Sequence, residues 1–492
     1  MSQINVSNLT FAYEGSYDNV FEQVSFQIDT DWKLGFTSRN GRGKTTFLNL
    51  LLGKFDYQGQ ISASVEFGYF PFEVSDKTRA TRELIGQIHP DCEQWELLRE
   101  LSLLQVDEEV LNRPFGTLSN GEQTKVLLAA LFLKENSFLL IDEPTNHLDA
   151  DARRLVGNYL KSKKGFILVS HDRAFLDRCV DHILSINKTN IEIQKGNFSS
   201  WWANKQMQDS FELAENDRLK QDIKRLSAAA KRTADWSDRV EKTKFGKQAS
   251  GLKPDKGYVG HKAAKMMKRS KAIEERRTAS AEEKSRLLKN IESADSLKLS
   301  PLPYHTNKLI SLDKVSVFYG DKKVCGPVSF TIEQGDRIAL CGRNGSGKTS
   351  LLKLIRGENI TFTGDFSAGS GLVVSYVSQD TSFLRGSLSD FAEKQGIEES
   401  LFKAILRKLD FAREQFEKDM QDFSGGQKKK VLLAKSLCEK AHIYLWDEPL
   451  NFIDVFSRMQ VEELLLSYSP TLLFVEHDAA FTEKIATKII RL

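Results

Sequence analysis

Apolar and polar positions follow two rhythms along this chain, and the same arrangement of them occurs twice. Four short apolar runs, Phe138–Asp142, Phe166–Ser170, Ile443–Asp447 and Leu472–Glu476, predict buried strands, with helix-like segments between them. That alternation predicts an α/β class. The landmarks repeat in order. The run Val6–Tyr13 is echoed by Leu312–Tyr319, and a glycine-rich loop holding Lys44 is echoed by one holding Lys348. Asp142 and Asp447 each close an apolar run, 98 residues after Lys44 and 99 after Lys348. Two copies of one layout are therefore expected.

Between the copies the composition changes. From about 203 to 300, Lys, Arg, Ala, Glu and Leu dominate and β-branched residues are scarce. Phe211, Leu213, Leu219, Ile223 and Leu226 recur at loosely helical spacing, as do Ile273, Leu287, Leu288 and Ile291. Residues 244–257 are rich in Gly, Pro and Ser and should break a helix. The expected organisation is a first cassette over 1–202, a helical hairpin over 203–300 with its tip near 244–258, and a second cassette over 301–492. Each hairpin helix, of roughly 35–40 residues, would reach on the order of 50–60 Å.

Charge sharpens this picture. The 492 residues carry a net +3, yet 242–277 alone hold twelve Lys or Arg against three acids. Such a concentration at a Gly/Pro tip favours contact with a phosphate backbone. Lys244, Lys247, Lys253 and Lys256 supply charge there, and Phe245, Leu252 and Tyr258 supply the stacking and apolar surface that suits RNA. No stretch approaches the roughly 18 apolar residues of a membrane helix, and the N-terminus lacks the pattern of a secretion signal. Cys92, Cys179, Cys325, Cys341 and Cys438 show no CxxC and no metal-ligand spacing, so reduced structural thiols in a cytoplasm are expected.

The chemistry sits in the repeated motifs. Gly342-Arg343-Asn344-Gly345-Ser346-Gly347-Lys348-Thr349 follows an apolar strand and opens a helix, the setting of a P-loop. Its amides form an anion nest, Lys348 meets the β/γ-phosphates and Thr349 is a ligand for Mg²⁺. The first copy reads Ser38-Arg39-Asn40-Gly41-Arg42-Gly43-Lys44-Thr45, with serine at the first glycine position. Serine is expected to give up positive-φ freedom there, altering binding without abolishing it. Thr46 and Ser350 complete the two loops. Asp142 and Asp447 end their strands where a carboxylate can organise Mg²⁺, and the adjacent Glu143 and Glu448 are placed to polarise an attacking water. His171 and His477 follow at matched spacing and read as γ-phosphate contacts.

With Ser119-Asn120-Gly121-Glu122-Gln123 and Ser424-Gly425-Gly426-Gln427 upstream of each Asp-Glu pair, the chain resembles the ABC superfamily. The resemblance implies a head-to-tail sandwich within one chain, functional as a monomer. Each of its two ATP sites would pair one cassette's P-loop with the other's signature helix. It also implies adenine stacking on Tyr13 and Tyr319, connecting loops at Leu148-Asp149 and Ile453-Asp454, and contact of Gln379 with Mg²⁺ and the attacking water. Two cassettes and a long basic linker together are similar to the ABC-F family, which acts on ribosomes. Glu448-Pro-Leu-Asn-Phe-Ile-Asp454 and the linker are most similar to the resistance group of the Lsa type, directed at lincosamides, streptogramin A and pleuromutilins. That implies ATP and Mg²⁺ as cofactors and a place in the E site of the bacterial ribosome. The tip would then contact large-subunit rRNA and displace P-site tRNA, releasing the drug.

Two departures bear on mechanism. Phe72 stands in the first copy where Gln379 stands in the second, and phenylalanine contacts neither a cation nor a water. Asn120 replaces a signature glycine, in a position where tolerance of left-handed backbone is expected to matter. Unequal hydrolysis is expected, slower at the site built on Lys44. A housekeeping ABC-F translation factor acting without drug is the alternative, and a detached transporter subunit would have no use for such a linker.

Overall fold

A computed structural model of the chain describes residues 2–13, 19–72, 74, 76–90, 92–146, 148–187, 190–243 and 297–492, with 268, 272 and 276. It divides into one unit of residues 1–201 and 294–492, which contains both copies, and a second of 202–293.

Each copy pairs a mainly parallel sheet with a three-stranded antiparallel one. In the first copy the strand order is Glu66–Phe70, Ser137–Asp142, Phe166–Val169, Lys33–Thr37, His182–Asn187 and Asn190–Lys195, with only the last antiparallel. The second copy repeats it as Val374–Val377, Ile443–Asp447, Leu472–Val475, Arg337–Cys341 and Lys488–Arg491, all parallel. The inner strands are apolar on both faces because both are covered. Phe138, Leu140, Ile167 and Phe36 are fully buried, as are Ile443, Tyr444, Leu445 and Trp446.

This order places the chemistry. The strand leading into each P-loop lies beside the strand that precedes the histidine, and that strand lies beside the one ending in Asp-Glu. Lysine loop, histidine and acidic pair therefore gather at the carboxyl ends of three neighbouring strands, where ligands bind in open α/β sheets. The P-loop helices, Lys44–Leu51 and Lys348–Arg356, are anchored by buried Phe47 and Leu48 and by Leu351 and Leu352. The second copy's core starts before residue 301, since Leu297 and Leu299 are buried within it.

The first linker helix runs from Phe198 to Thr243, 46 residues, or roughly 70 Å. It begins earlier and is longer than the sequence pattern suggests, because Phe198 and Trp201 already pack into the first unit, Trp201 against Phe456. The returning helix and the tip residues Lys244, Phe245, Lys247, Leu252, Lys253, Lys256 and Tyr258 lie outside the described residues.

Candidate active sites

Both P-loops turn on left-handed glycines, Gly41 and Gly43 at φ 81° and 92°, Gly345 and Gly347 at 80° and 89°. Lys44 Nζ donates to Ser38 O at 2.9 Å, and Lys348 Nζ donates to Gly342 O and Arg343 O at 2.9 Å. Burial lowers both lysines, opposed most by Asp454 at Lys44 and by Glu448 at Lys348. Asp454 belongs to the other copy, so the field at Lys44 is already that of a shared site. The expectation about Ser38 needs correcting: neither Ser38 nor Gly342 has a positive φ. Glycine is required at 342 by close approach, since a Cβ would lie 2.7 Å from both Leu492 O and Ser346 Oγ. At the Ser346 position the first copy has Arg42, and the Ser38 hydroxyl donates to Arg39 O at 3.1 Å.

The two Asp-Glu pairs share a backbone and differ in surroundings. Glu143 and Glu448 both adopt left-handed backbone, φ 50° and 48°, which turns the carboxylate back over the strand end. Glu448 is held by three side chains. Gln379 Nε2 donates to its Oε2 at 3.0 Å, Asn451 Nδ2 donates to the same oxygen at 2.6 Å, and His477 Nε2 stands 3.4 Å from Oε1. Burial would raise Glu448, but hydrogen bonding and charge from His477 hold it below the usual carboxylate range. Glu143 has His171 Nε2 at 3.3 Å from an Oε1 that is buried with no hydrogen bond of good geometry. Burial first, then Asp142, pushes Glu143 up to about 8, and burial drives His171 far below the ordinary histidine range. Phe72, half-buried, offers no amide to Glu143. Asp142 keeps protein partners in Thr45 and Tyr69, at 3.5 and 3.3 Å from Oδ2. Both Asp447 oxygens are buried without a hydrogen bond of good geometry, Thr349 lying nearby, and burial pushes the group up to about 6. Orphaned hard oxygens beside Thr349 and phosphate space fit a divalent cation completed by phosphate and water. Among the described residues no cluster of three or more His, Cys, Asp or Glu forms a metal cage by itself.

The signature segments start helices, Asn120–Leu133 and Gly425–Cys438, each closed by a capping box. Ser119 and Glu122 bond reciprocally, as do Ser424 and Gln427, leaving the remaining N-terminal amides and the positive helix end to face outward. Asn120 lies in the first helical turn with no positive φ, so the left-handed argument for it does not apply. Each helix faces the other copy's P-loop. One cavity, of about 350 Å³, is lined by Asn40, Gly41, Lys44, Thr45, Glu143 and His171 together with Ser424–Gln427. The other, of about 1410 Å³, is lined by Arg343–Gly345, Gly347–Ser350, Gln379, Glu448 and His477 together with Ser119–Glu122. We refer to them as site one and site two.

Site one is drawn together by contacts between the copies. Arg39 Nη1 pairs with Asp410 at 2.5 Å, and Asn40 Nδ2 donates to Phe452 O at 3.0 Å. Arg173 also pairs with the fully buried Glu462 of the second copy. At the matching turn of the first copy stands Gln105, lining site two with Arg343 and Asn344. Asp410 and the backbone of Phe452 were not legible as site residues. Asp410 lies between motifs, and Phe452 stands where the first copy's sequence has His147. Tyr13, Tyr319 and Gln123 do not line either cavity. Tyr13 and Tyr319 are about half exposed, Tyr13 OH bonds Thr46 at 2.6 Å, and Gln123 Nε2 donates to Phe115 O and Leu118 O.

The family model described as ABC transporter matches residues 21–146 and 325–451, just over half of the chain. The chain therefore belongs to the ABC family and carries two of its ATP-binding, ATP-hydrolysing cassettes. It is 29% identical over 497 residues to the ribosome protection protein VmlR of Bacillus subtilis (strain 168), covering 96% of this chain and 84% of that one. It is 28% identical to the probable ATP-binding protein YheS of Escherichia coli (strain K12), covering 93% and 74%. A solved archaeal ribosome recycling factor, aABCE1 in complex with ribosomal stalk protein aP1, superposes with a TM-score of 0.65 at 19% identity, covering 98% and 87%. That likeness concerns the fold. Among the described residues no helix is long and apolar enough to cross a membrane.

Proposed function

We propose that this protein is an ABC-F ATPase of the ribosome-protection kind. In this reading it enters the E site and uses its linker to shift P-site tRNA and release lincosamide, streptogramin A and pleuromutilin antibiotics. The observation that carries the reading is the meeting of each P-loop with the opposite signature helix inside one chain. A nucleotide bridging such a site pulls the two cassettes together, and movement of the cassettes is what a long basic linker could transmit. Similarity to a protein named for ribosome protection supports the choice of target.

Hydrolysis would occur at both composite sites and run faster at site two. There Lys348 and the loop amides hold the phosphates, the Asn120 helix end faces the γ-phosphate, and Glu448, steadied by Gln379 and Asn451, orients and deprotonates the water. Thr349, Asp447 and Gln379 would hold Mg²⁺, and Thr45 and Asp142 would do so at site one; the ion supplies charge neutralisation on the phosphates when bound. Release of the γ-phosphate removes the bridge and lets the sandwich open.

Ribosome co-sedimentation with ATP tests this. The Glu143→Gln, Glu448→Gln double variant should pellet with ribosomes, as should the same variant lacking 244–258, while the hydrolysis-competent chain lacking 244–258 should fail to protect. If neither pellets, the ribosome is the wrong partner. Raised tolerance to lincomycin and tiamulin, and not to erythromycin or chloramphenicol, is expected on expression. An unchanged susceptibility profile would favour a translation factor acting without drug.

A further inference from the structure

Lys429 sits in the signature helix of the second copy, yet it does not face the first copy's P-loop. Its side chain runs inward, the residue is 3% exposed, and Nζ donates to Ser378 O at 2.9 Å and reaches Asp447 O at 3.4 Å. Ser378 immediately precedes Gln379, and Asp447 immediately precedes Glu448. One ammonium therefore ties the backbone of the glutamine loop to the end of the acidic strand, two segments 69 residues apart at the contact between Gln379 and Glu448. Lys429 also lines site two beside Gln379, Glu448 and His477.

Among the described residues, the first copy shows no counterpart of this arrangement. Counting from the signature serines, the position of Lys429 is filled by Thr124. Its hydroxyl donates to Asn120 O, within its own helix, at 2.9 Å. There is no tether, and Phe72 stands in place of the glutamine that a tether would hold. A buried ammonium is costly unless several acceptors and charges compensate it. Here the compensating groups are main-chain carbonyls of the catalytic segments themselves, with Glu448, Glu476 and Asp447 supplying opposite charge.

We propose that Lys429 is a positioning residue for hydrolysis at site two, fixing the glutamine loop against the acidic strand so that Gln379 holds Glu448 over the attacking water. It acts through Gln379 and Glu448 and does not touch the phosphates. Its effect is therefore on the chemical step, with little on ATP affinity. The assignment rests on the reading of site two as the faster hydrolytic site.

The test uses the full chain carrying Glu143→Gln, so that turnover reports site two. Substitution Lys429→Thr installs the residue of the first copy, and Lys429→Arg restores a cationic donor. Single-turnover hydrolysis should fall by about tenfold or more in Lys429→Thr, with affinity for a fluorescent ATP analogue unchanged. Lys429→Arg should recover part of the rate. An unchanged rate in Lys429→Thr would overturn the assignment, and so would a parallel loss of rate and affinity, which would mark a purely structural role. Absence of turnover in the Glu143→Gln parent itself would overturn the reading of site two, and the assignment with it.

Discussion

Site one and site two use the same motifs at nearly the same spacing, yet one cavity is about 350 Å³ and the other about 1410 Å³. The smaller site is tied across the copies by Arg39–Asp410 and Asn40–Phe452, and Phe72 gives its glutamate no side-chain amide like that of Gln379. The larger site has Gln105 at the position of Asp410, and its glutamate is held by Gln379 and Asn451. On the function proposed above, closure and catalytic order would be divided between the two, with site one staying together and site two reacting. An identical pair of sites would have to open and fire alike. Such a division would let one edge of the sandwich act as a standing clamp.

The largest expected effect comes from the crowding at Gly426. A Cβ there would lie 2.5 Å from Phe452 O, a backbone atom. Gly426→Ala should weaken nucleotide binding at site one by about 1–3 kcal/mol. Fluorescent-ATP titration in a chain with Lys348 changed to alanine checks this. Next is the ion pair. Asp410→Gln gives site one the residue found at site two and removes a partly buried pair. A cost of about 1 kcal/mol is expected, between the values for surface and buried pairs. Spin labels placed across site one should then report a wider, broader distance without nucleotide, and Gln105→Asp should narrow the distance across site two.

Smaller effects concern the chemistry. Phe72→Gln restores an amide near Glu143 and should raise single-turnover hydrolysis at site one a few-fold. The gain stays modest because Thr124 provides no tether for that loop. Smallest of all is Asn120→Gly. The residue has helical backbone in the first turn, so the change should cost a few tenths of a kcal/mol in stability and alter turnover at site two by less than about twofold.

The cassettes were legible because their chemistry is fixed by short motifs. A P-loop, a signature and an Asp-Glu pair at separations of 98 and 99 residues leave little freedom in how the sheet must be ordered. Phe72 was legible for the same reason, by its alignment with Gln379. The contacts that make the sites unequal were not. Asp410 acts through a pairing 371 residues distant that no local pattern encodes. Lys429 lies in a Lys428-Lys429-Lys430 run that no motif marks, and Lys429 and Lys430 are both buried and bonded to main-chain oxygens. Ser38 and Asn120 misled in the opposite direction. Glycine suggested dihedral freedom at both positions, but the constraint at Gly342 is close approach, and at Asn120 the backbone is ordinary helix.

The inequality of the sites is tested most directly by single-turnover ATP hydrolysis in the Glu143→Gln and Glu448→Gln variants at saturating nucleotide. The Glu143→Gln protein, which retains site two, should hydrolyse about tenfold or more faster than the Glu448→Gln protein, which retains site one. Equal residual rates, or a faster Glu448→Gln protein, would contradict the division of labour between the two sites.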